Sequence, residues 1–398
     1  MDGYEFESSP FFVNQDNSVS LYRSRTREGN LPVIIKRHNF NNIRDKAVQI
    51  SMARTFNAAL AQAKVPHPRT CDILEVQMEI ERDSCSIFHI LETSVEDLGA
   101  DLENCSRTSG TNAELGMDGY ELESDPFCVN PCTEVSVYRG RTRRGNLPVV
   151  IKCHDFILIQ EKEVQINMVR TLNAALVMAK MQHPNACDIL EVQMEIQETN
   201  CRIFHVLEAL DSDLERDIEG RRSSNRPYAE GELRLVLLQT ASVLACAHSK
   251  RIAHRDVKPS NILRTANTYK LNDFGCFFMS RDSSVAETMA GDFCYMSPQL
   301  RKSWLEKSSY NVFKTDVFEL GASLLHMATL TSPKNLITAK RMQKAVDRQV
   351  EVLPYSALLK SLISRMLAYE EGARPTMQEV CTALTQPEET KLPPTRTA

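Results

Sequence analysis

Two carboxylates, an amide and a lysine fall at short spacing between His254 and Gly275, around an apolar-flanked hairpin. The stretch reads His-Arg-Asp-Val-Lys-Pro-Ser-Asn from 254 to 261, then Ile262-Leu263, a polar turn, and Tyr269-Lys-Leu-Asn-Asp-Phe-Gly275. Asp256 can accept the proton of an incoming hydroxyl, and Lys258 can steady a phosphoryl group in transit. The Asn261 amide oxygen and the Asp273 carboxylate are hard oxygen ligands suited to Mg²⁺. A His-Arg-Asp tripeptide arises by chance, but two ordered motifs at this separation do not. The chemistry they point to is phosphoryl transfer.

At these residues the chain resembles the eukaryotic protein kinases, whose catalytic loop and Asp-Phe-Gly motif share this order and spacing. The resemblance covers about residues 120–384, and Lys258 favours the serine/threonine branch. It implies an α+β, bilobal kinase fold, with an antiparallel-sheet small lobe and a mainly helical large lobe. ATP and Mg²⁺ would lie between the lobes, and the partner would be a protein substrate. Asp256, Lys258 and Asn261 would be catalytic, with Asn261 and Asp273 holding metal. Val149-Val-Ile-Lys152 resembles the strand whose lysine holds the ATP phosphates. Glu163 is the first choice for that lysine's ion-pair partner and Glu161 the second. Leu207 falls at the residue guarding the adenine pocket, and the backbone from Glu208 to Leu210 would hydrogen-bond adenine. In Thr315-Asp316-Val-Phe-Glu-Leu-Gly321 the aspartate would brace the catalytic loop.

The departures from the family are local. Asn130, Cys132 and Val135 stand in the glycine positions of the phosphate loop, Pro131 removes a donor, and Glu134 adds negative charge. This predicts weaker ATP binding rather than none. In Gly291-Asp-Phe-Cys-Tyr-Met-Ser-Pro-Gln299, Asp292 replaces the usual threonine. Gln299 replaces a glutamate whose arginine partner would be Arg374, to which a neutral amide can still bond.

Elements must position these groups. From Tyr120 the order reads strand, loop, strand, hairpin, strand, helix, two strands. The helix spans roughly Gln160 to Lys180, with Val164, Met168, Leu172, Ala175 and Ala179 near 3.6-residue spacing. Arg139–Arg144 reads as a solvated hairpin turn rather than an RNA-binding run, because no aromatic residues interleave. A buried helix runs from Glu232 to Ser249, and closing helices are expected at 358–367 and 376–384. Between Cys276 and Met289, Ser280, Ser283, Ser284 and Thr288 would either accept regulatory phosphate beside Arg255 or form an unmodified exposed loop. Cys276 itself reads as a buried, inert thiol.

The first third is a duplication at an offset of 116 residues. Met1-Asp-Gly-Tyr-Glu recurs at 117, Gly29–Lys36 recurs at Gly145–Lys152 with one change, and Cys71–Ile80 recurs unchanged at Cys187–Ile196. To Glu92 no gap is needed, and about two positions in three are identical. The expected domains are an incomplete, non-catalytic small lobe (1–103), a linker (104–116), a kinase domain (small lobe 117–208, large lobe 211–385) and a disordered tail (386–398). The first copy keeps Lys36 but carries Ala47 where the second has Glu163, and it lacks a catalytic loop. Three readings stand for 1–116: a docking or inhibitory lobe making intramolecular or homotypic contact, an inert duplication, or an artefact of gene prediction, since Met117 is itself a possible start.

The 398 residues allow two or three domains, and a net charge of −5 gives no hint of nucleic-acid or membrane partners. The amino terminus lacks the basic start and apolar run of a signal peptide, and no apolar run reaches membrane-span length. Twelve scattered cysteines without a Cys-x-x-Cys pair indicate neither zinc nor a disulfide framework. A reducing cytoplasm (or nucleus) is the expected location. Two functional classes follow. One is an active serine/threonine kinase, carried by Lys152, Glu163, Asp256, Asn261 and Asp273. The other is a non-enzymatic pseudokinase that binds partners, favoured by the glycine-free loop, Asp292, Gln299 and the orphan first lobe.

Overall fold

The computed structural model describes residues 4–6, 9–14, 18–27, 30–64, 72–92, 116–123, 125–130, 135–279, 285–286, 291–338 and 341–386. They group into two compact units, residues 1–182 with 187–209 and residues 183–186 with 210–398.

The first unit contains both copies of the repeat, each built as an antiparallel sheet and one long helix. Copy one comprises β1 (Tyr4–Phe6), β2 (Phe12–Val13), β3 (Val19–Thr26), β4 (Pro32–Asn41), α1 (Lys46–Lys64), β5 (Ile73–Glu81) and β6 (Ser84–Glu92). Copy two repeats this as β7 (Tyr120–Leu122), β8 (Cys128–Asn130), β9 (Val135–Thr142), β10 (Pro148–Phe156), α2 (Lys162–Lys180), β11 (Ile189–Gln197) and β12 (Asn200–Glu208). Strand order is β1-β3-β4-β6-β5 in one sheet and β11-β12-β10-β9-β7 in the other, with β2 and β8 each joined to the third strand of its copy. The second sheet is the small-lobe sheet expected from sequence, and the first is a small-lobe-like copy of it.

The local causes are plain. The β9–β10 connection turns where Gly145 and Asn146 take positive φ of 93° and 53°, a conformation open to glycine and tolerated by asparagine. The Thr142 hydroxyl accepts the Leu147 N–H at 3.0 Å and closes the loop. The basic run from Arg139 to Arg144 is the end of β9 and this turn, with Arg143 bonded to Glu121 at 2.9 Å. In α2, Met168, Leu172, Ala175 and Ala179 are buried as their spacing predicts, whereas Val164 is half-buried.

The two helices lie between the two sheets, packed on each other and each against the outer strand of the opposite copy. α1 covers β11 and α2 covers β5, so an exposed sheet edge is closed in both directions. The first copy is therefore part of the same compact unit as the second.

The second unit is mainly helical. Its elements are β13 (Ser212–Asp213), α3 (Leu214–Ser223), α4 (Glu230–Ser249), β14 (Ile252–Ala253), β15 (Ile262–Thr265), β16 (Thr268–Leu271), β17 (Phe278–Met279), β18 (Val285–Ala286), α5 (Pro298–Glu306), β19 (Tyr310–Asn311), α6 (Val312–Thr329), α7 (Met342–Glu351), α8 (Ala357–Met366) and α9 (Met377–Thr385). α6 is buried almost all round, and α4, α8 and the loop after β14 pack against it or its ends. The expected stripe of α4 (Leu233, Val236, Leu237, Thr240, Leu244, Ala247) is core. A Thr376–Glu379 capping box starts α9, Thr376 Oγ1 accepting the Glu379 N–H at 3.2 Å. Among the described residues no helix is long and apolar enough to cross a membrane.

Candidate active site

The loop after β14 carries His254 to Asn261, and α6 fixes its backbone. Asp316, fully buried on the first turns of α6, accepts the His254 N–H at 2.9 Å and the Arg255 N–H at 2.7 Å. His248 Nε2 lies 2.7 Å from the same carboxylate. One turn on, Glu319 accepts the Val257 N–H at 2.9 Å. Two acidic side chains of one buried helix thus accept from three backbone N–H groups of the loop, and the two bonds to Asp316 are charge-assisted in a dry setting. Burial, with Asp316 beside it, pushes the Glu319 carboxyl well above the usual carboxylate range.

The loop is strained to suit. Arg255 has φ 63° and Asp273 has φ 64°, both in the left-handed region. Arg255 is tied down by the Cys276 carbonyl at 2.8 Å and the Tyr310 hydroxyl at 3.1 Å. His254 Nε2 donates to the Asn272 carbonyl at 3.0 Å, and the ring stacks edge-on against buried Phe274, centroids 4.6 Å apart. This links the first motif to the second across the β15–β16 hairpin.

Asp256, Lys258 and Asn261 come together. Lys258 Nζ is 3.0 Å from Asp256 Oδ2, and Asn261 Nδ2 donates to the same oxygen at 3.0 Å and to the Asp256 carbonyl at 2.8 Å. Asp256 Oδ1 is buried and has no hydrogen-bond partner among the described residues. An unsatisfied buried carboxylate oxygen is costly to keep. Burial works against the Lys258 ammonium, yet the carboxylates of Asp256, Asp292 and Asp273 outweigh it and raise its pKa above the ordinary value. The Asp273 charge is therefore felt at the catalytic loop.

The donor set fits Mg²⁺. Because Asn261 spends its NH₂ on Asp256, its amide oxygen is turned away and available, and Asp273 supplies a carboxylate. Two protein oxygens are what Mg²⁺ takes when phosphates and water complete its shell. Among the described residues no group of three or more His, Cys, Asp or Glu forms a cage.

Asp292, in the position noted as a departure, lies 3.6 Å from Lys258 Nζ and accepts the Cys294 N–H at 2.9 Å. Gly291 has φ 93°, and a Cβ there would stand 2.4 Å from the Arg255 carbonyl oxygen. Only glycine lets this segment lie against the catalytic loop. Gln299 Oε1 accepts from Arg374 Nη2 at 2.6 Å, as expected, while Gln299 Nε2 donates to the Tyr369 carbonyl at 2.6 Å. Burial lowers the Arg374 pKa to about 10. It likewise pushes the Cys276 thiol up to about 11, although this cysteine is half-buried rather than buried as expected.

In the first unit, Lys152 is half-buried on β10, opposite His205 and Val137. Glu163 is exposed on the first turn of α2 and makes no ion pair among the described residues, so its expected bond to Lys152 is not formed here. Glu161 is the exposed residue preceding the helix. The helix α2 that carries Glu163 is bonded to the opposite copy through Gln165, Asn173 and Lys180. Leu207 is buried near the end of β12. The Glu208 N–H is taken by the Asp188 carbonyl at 3.1 Å, and Leu210 belongs to the second unit. Residues 131–134 of the phosphate loop and Ser280, Ser283, Ser284 and Thr288 lie outside the described residues.

Glu319, His248, Tyr310 and Gly291 were not read from sequence as parts of this site. Glu319 left a signal: a second acid three residues after Asp316, inside an otherwise apolar helix. His248 and Tyr310 left none, since each acts across a long separation.

The family model described as the protein kinase domain matches residues 133–384. Serine/threonine-protein kinase Nek5 of Mus musculus is 31% identical over 268 residues, covering 66% of this chain and 39% of that protein. Nek2 of the same species is 29% identical over 231 residues, covering 55% of this chain and 49% of its own. A putative serine/threonine-protein kinase A of Trypanosoma brucei brucei is 31% identical over 213 residues, covering 51% and 47%. The chain thus spans less than half the length of these relatives. The matched segment contains the braced loop, the Asp-Phe-Gly turn and the Gln299–Arg374 anchor. On that match the chain belongs to the protein kinase domain family.

Proposed function

We propose that this chain is a protein serine/threonine kinase that moves the γ-phosphoryl group of ATP to a serine or threonine hydroxyl of a protein substrate. The observation that carries the reading is Asp256 Oδ1, buried and without a partner beside Lys258 and Asn261. Asp256 takes the substrate hydroxyl proton on that oxygen as the hydroxyl oxygen attacks the γ-phosphorus, and the bond from that phosphorus to the bridging oxygen breaks to release ADP. Lys258 offsets the charge of the transferring group, and the Asn261 bond holds the Asp256 carboxylate in place. Asn261 and Asp273 hold Mg²⁺, which when bound neutralises phosphate charge. Lys152 holds ATP phosphates, Glu163 orients Lys152 once the two meet, and Leu207, Glu208 and Leu210 frame adenine. These roles rest on the family pattern at matching positions.

A second reading is favoured by one observation. Glu163 is exposed and makes no ion pair among the described residues, as in a pseudokinase or a kinase held inactive. The test is phosphate transfer from Mg-ATP to a generic basic protein and to the chain itself, using the full chain and Asp256→Asn. Transfer by the parent, with a loss of about 100-fold or more in the variant, establishes the kinase. No transfer together with no thermal stabilisation by Mg-ATP overturns it in favour of a binding module.

A further inference from the structure

The contact between the two copies is reciprocal residue by residue at its asparagines and glutamines, and shifted by one strand residue at its lysines. Asn57 on α1 donates to the Val192 carbonyl of β11 at 2.9 Å and accepts the Val192 N–H at 2.8 Å. Asn173 on α2 donates to the Val76 carbonyl of β5 at 2.8 Å and accepts the Val76 N–H at 2.8 Å. Gln49 donates to the Ile196 carbonyl at 2.7 Å, and Gln165 donates to the Ile80 carbonyl at 2.9 Å. Lys64 donates to the Ile189 carbonyl and Lys180 to the Leu74 carbonyl. Asn57 and Asn173, Gln49 and Gln165, Lys64 and Lys180, Val76 and Val192, and Ile80 and Ile196 are each 116 residues apart. The contact is the isologous one of a two-fold dimer, made within one chain.

Its chemistry is specific to an open sheet edge. A carboxamide presents an N–H and an oxygen side by side, as does the backbone of one strand residue, so each asparagine stands in for a residue of a missing neighbouring strand. The first copy has Ala47 where the second has Glu163, yet it carries the same glutamine, asparagine and lysine that bind the other lobe. A lobe carrying all three together with the complementary strand edge holds both halves of its own partner.

We propose that the face formed by α2 and the outer edge of β11 is a homotypic docking surface, whose partner is a second small lobe of this same sequence. In the intact chain the first copy occupies it in cis. When that copy is weakened, the second lobe of another chain takes its place, pairing Asn173 of each chain with Val192 of the other.

Tethering gives the cis contact an effective concentration of about millimolar, a roughly 10³-fold advantage over a free partner at micromolar concentration. Each amide pair lost from a buried contact weakens it by about 10- to 100-fold. Gln49→Ala with Asn57→Ala therefore removes the cis advantage while leaving the second lobe untouched. Light scattering on the full chain at micromolar concentration should show a monomeric parent and a dimeric double variant. Adding Asn173→Ala should return the variant to a monomer. The mirror variant, Gln165→Ala with Asn173→Ala, should dimerise through the first lobe and revert with Asn57→Ala. A folded double variant that stays monomeric, or a dimer that survives the third substitution, overturns the proposal. Amide exchange on the unmodified chain decides independently of whether variants fold. The Val76 and Val192 amides should exchange as slowly as those of interior strands, and exchange at the rate of an open edge removes the basis of the proposal.

Discussion

Replacing Asp316 with asparagine isolates the brace that shapes the catalytic loop. The buried carboxylate accepts from the His254 and Arg255 N–H groups at 2.9 and 2.7 Å and contacts His248 Nε2 at 2.7 Å. An amide of the same shape keeps one acceptor oxygen and turns an NH₂ toward a backbone donor. One charge-assisted bond is lost outright, and the others weaken to neutral strength. At about 1.5–3 kcal/mol for a bond to a charged group, the loss comes to about 3–4 kcal/mol. Arg255 is held at φ 63° by this brace, so the loss falls on local geometry before it falls on the whole unit. The assay is hydrogen exchange resolved at the His254 and Arg255 amides, beside phosphate transfer. Exchange at both should accelerate by about 10²- to 10³-fold, with transfer falling in parallel. Exchange within about threefold of the parent would refute the brace as the source of loop order.

Gly291→Ala should cost about 2–4 kcal/mol and most of the transfer activity, because its Cβ would meet the Arg255 carbonyl at 2.4 Å from a backbone at φ 93°. Denaturant unfolding and initial rates both check this. Gln299→Glu should place a carboxylate on Arg374 and lose the amide bond to the Tyr369 carbonyl, for a net stabilisation of about 1 kcal/mol. Burial depresses Arg374 to about 10, so its charge costs stability at all lower pH and ceases to do so only as pH rises past its unfolded value. A facing carboxylate offsets that cost, and a lower melting temperature would count against it. Glu319→Gln tests the sign of a buried acid. Burial and Asp316 raise its folded pKa, so the fold binds this proton more tightly and loses stability as pH climbs from the unfolded carboxylate value toward the folded one. The melting temperature of the variant relative to the parent should rise between about pH 5 and pH 8, and a flat difference would be contrary to this reasoning.

Much of the catalytic loop was legible because its information is local. His254 to Asn261 spans eight residues, so Asp256, Lys258 and Asn261 could meet only if that segment turned tightly, and they do. The α2 and α4 stripes were legible for a similar reason, since 3.6-residue periodicity marks a buried face wherever it packs. Arg374 was found as the partner of Gln299 only through the family pattern, 75 residues away.

What the sequence determined by itself was the clustering of Asp256, Lys258 and Asn261, the repeat at 116 residues and the helices and strands that carry both. Tertiary structure alone decided that Glu319 and Tyr310 hold the loop, that Gly291 lies against Arg255, and that Glu163 stays clear of Lys152. It also decided that each long helix closes the sheet edge of the opposite copy. An apolar stripe states that a helix face must be covered and leaves open which of two near-identical edges covers it. Asn57 and Asn173 read equally well as surface residues until the strands they complete are in place, because a hydrogen bond across 135 or 97 residues has no counterpart in local spacing.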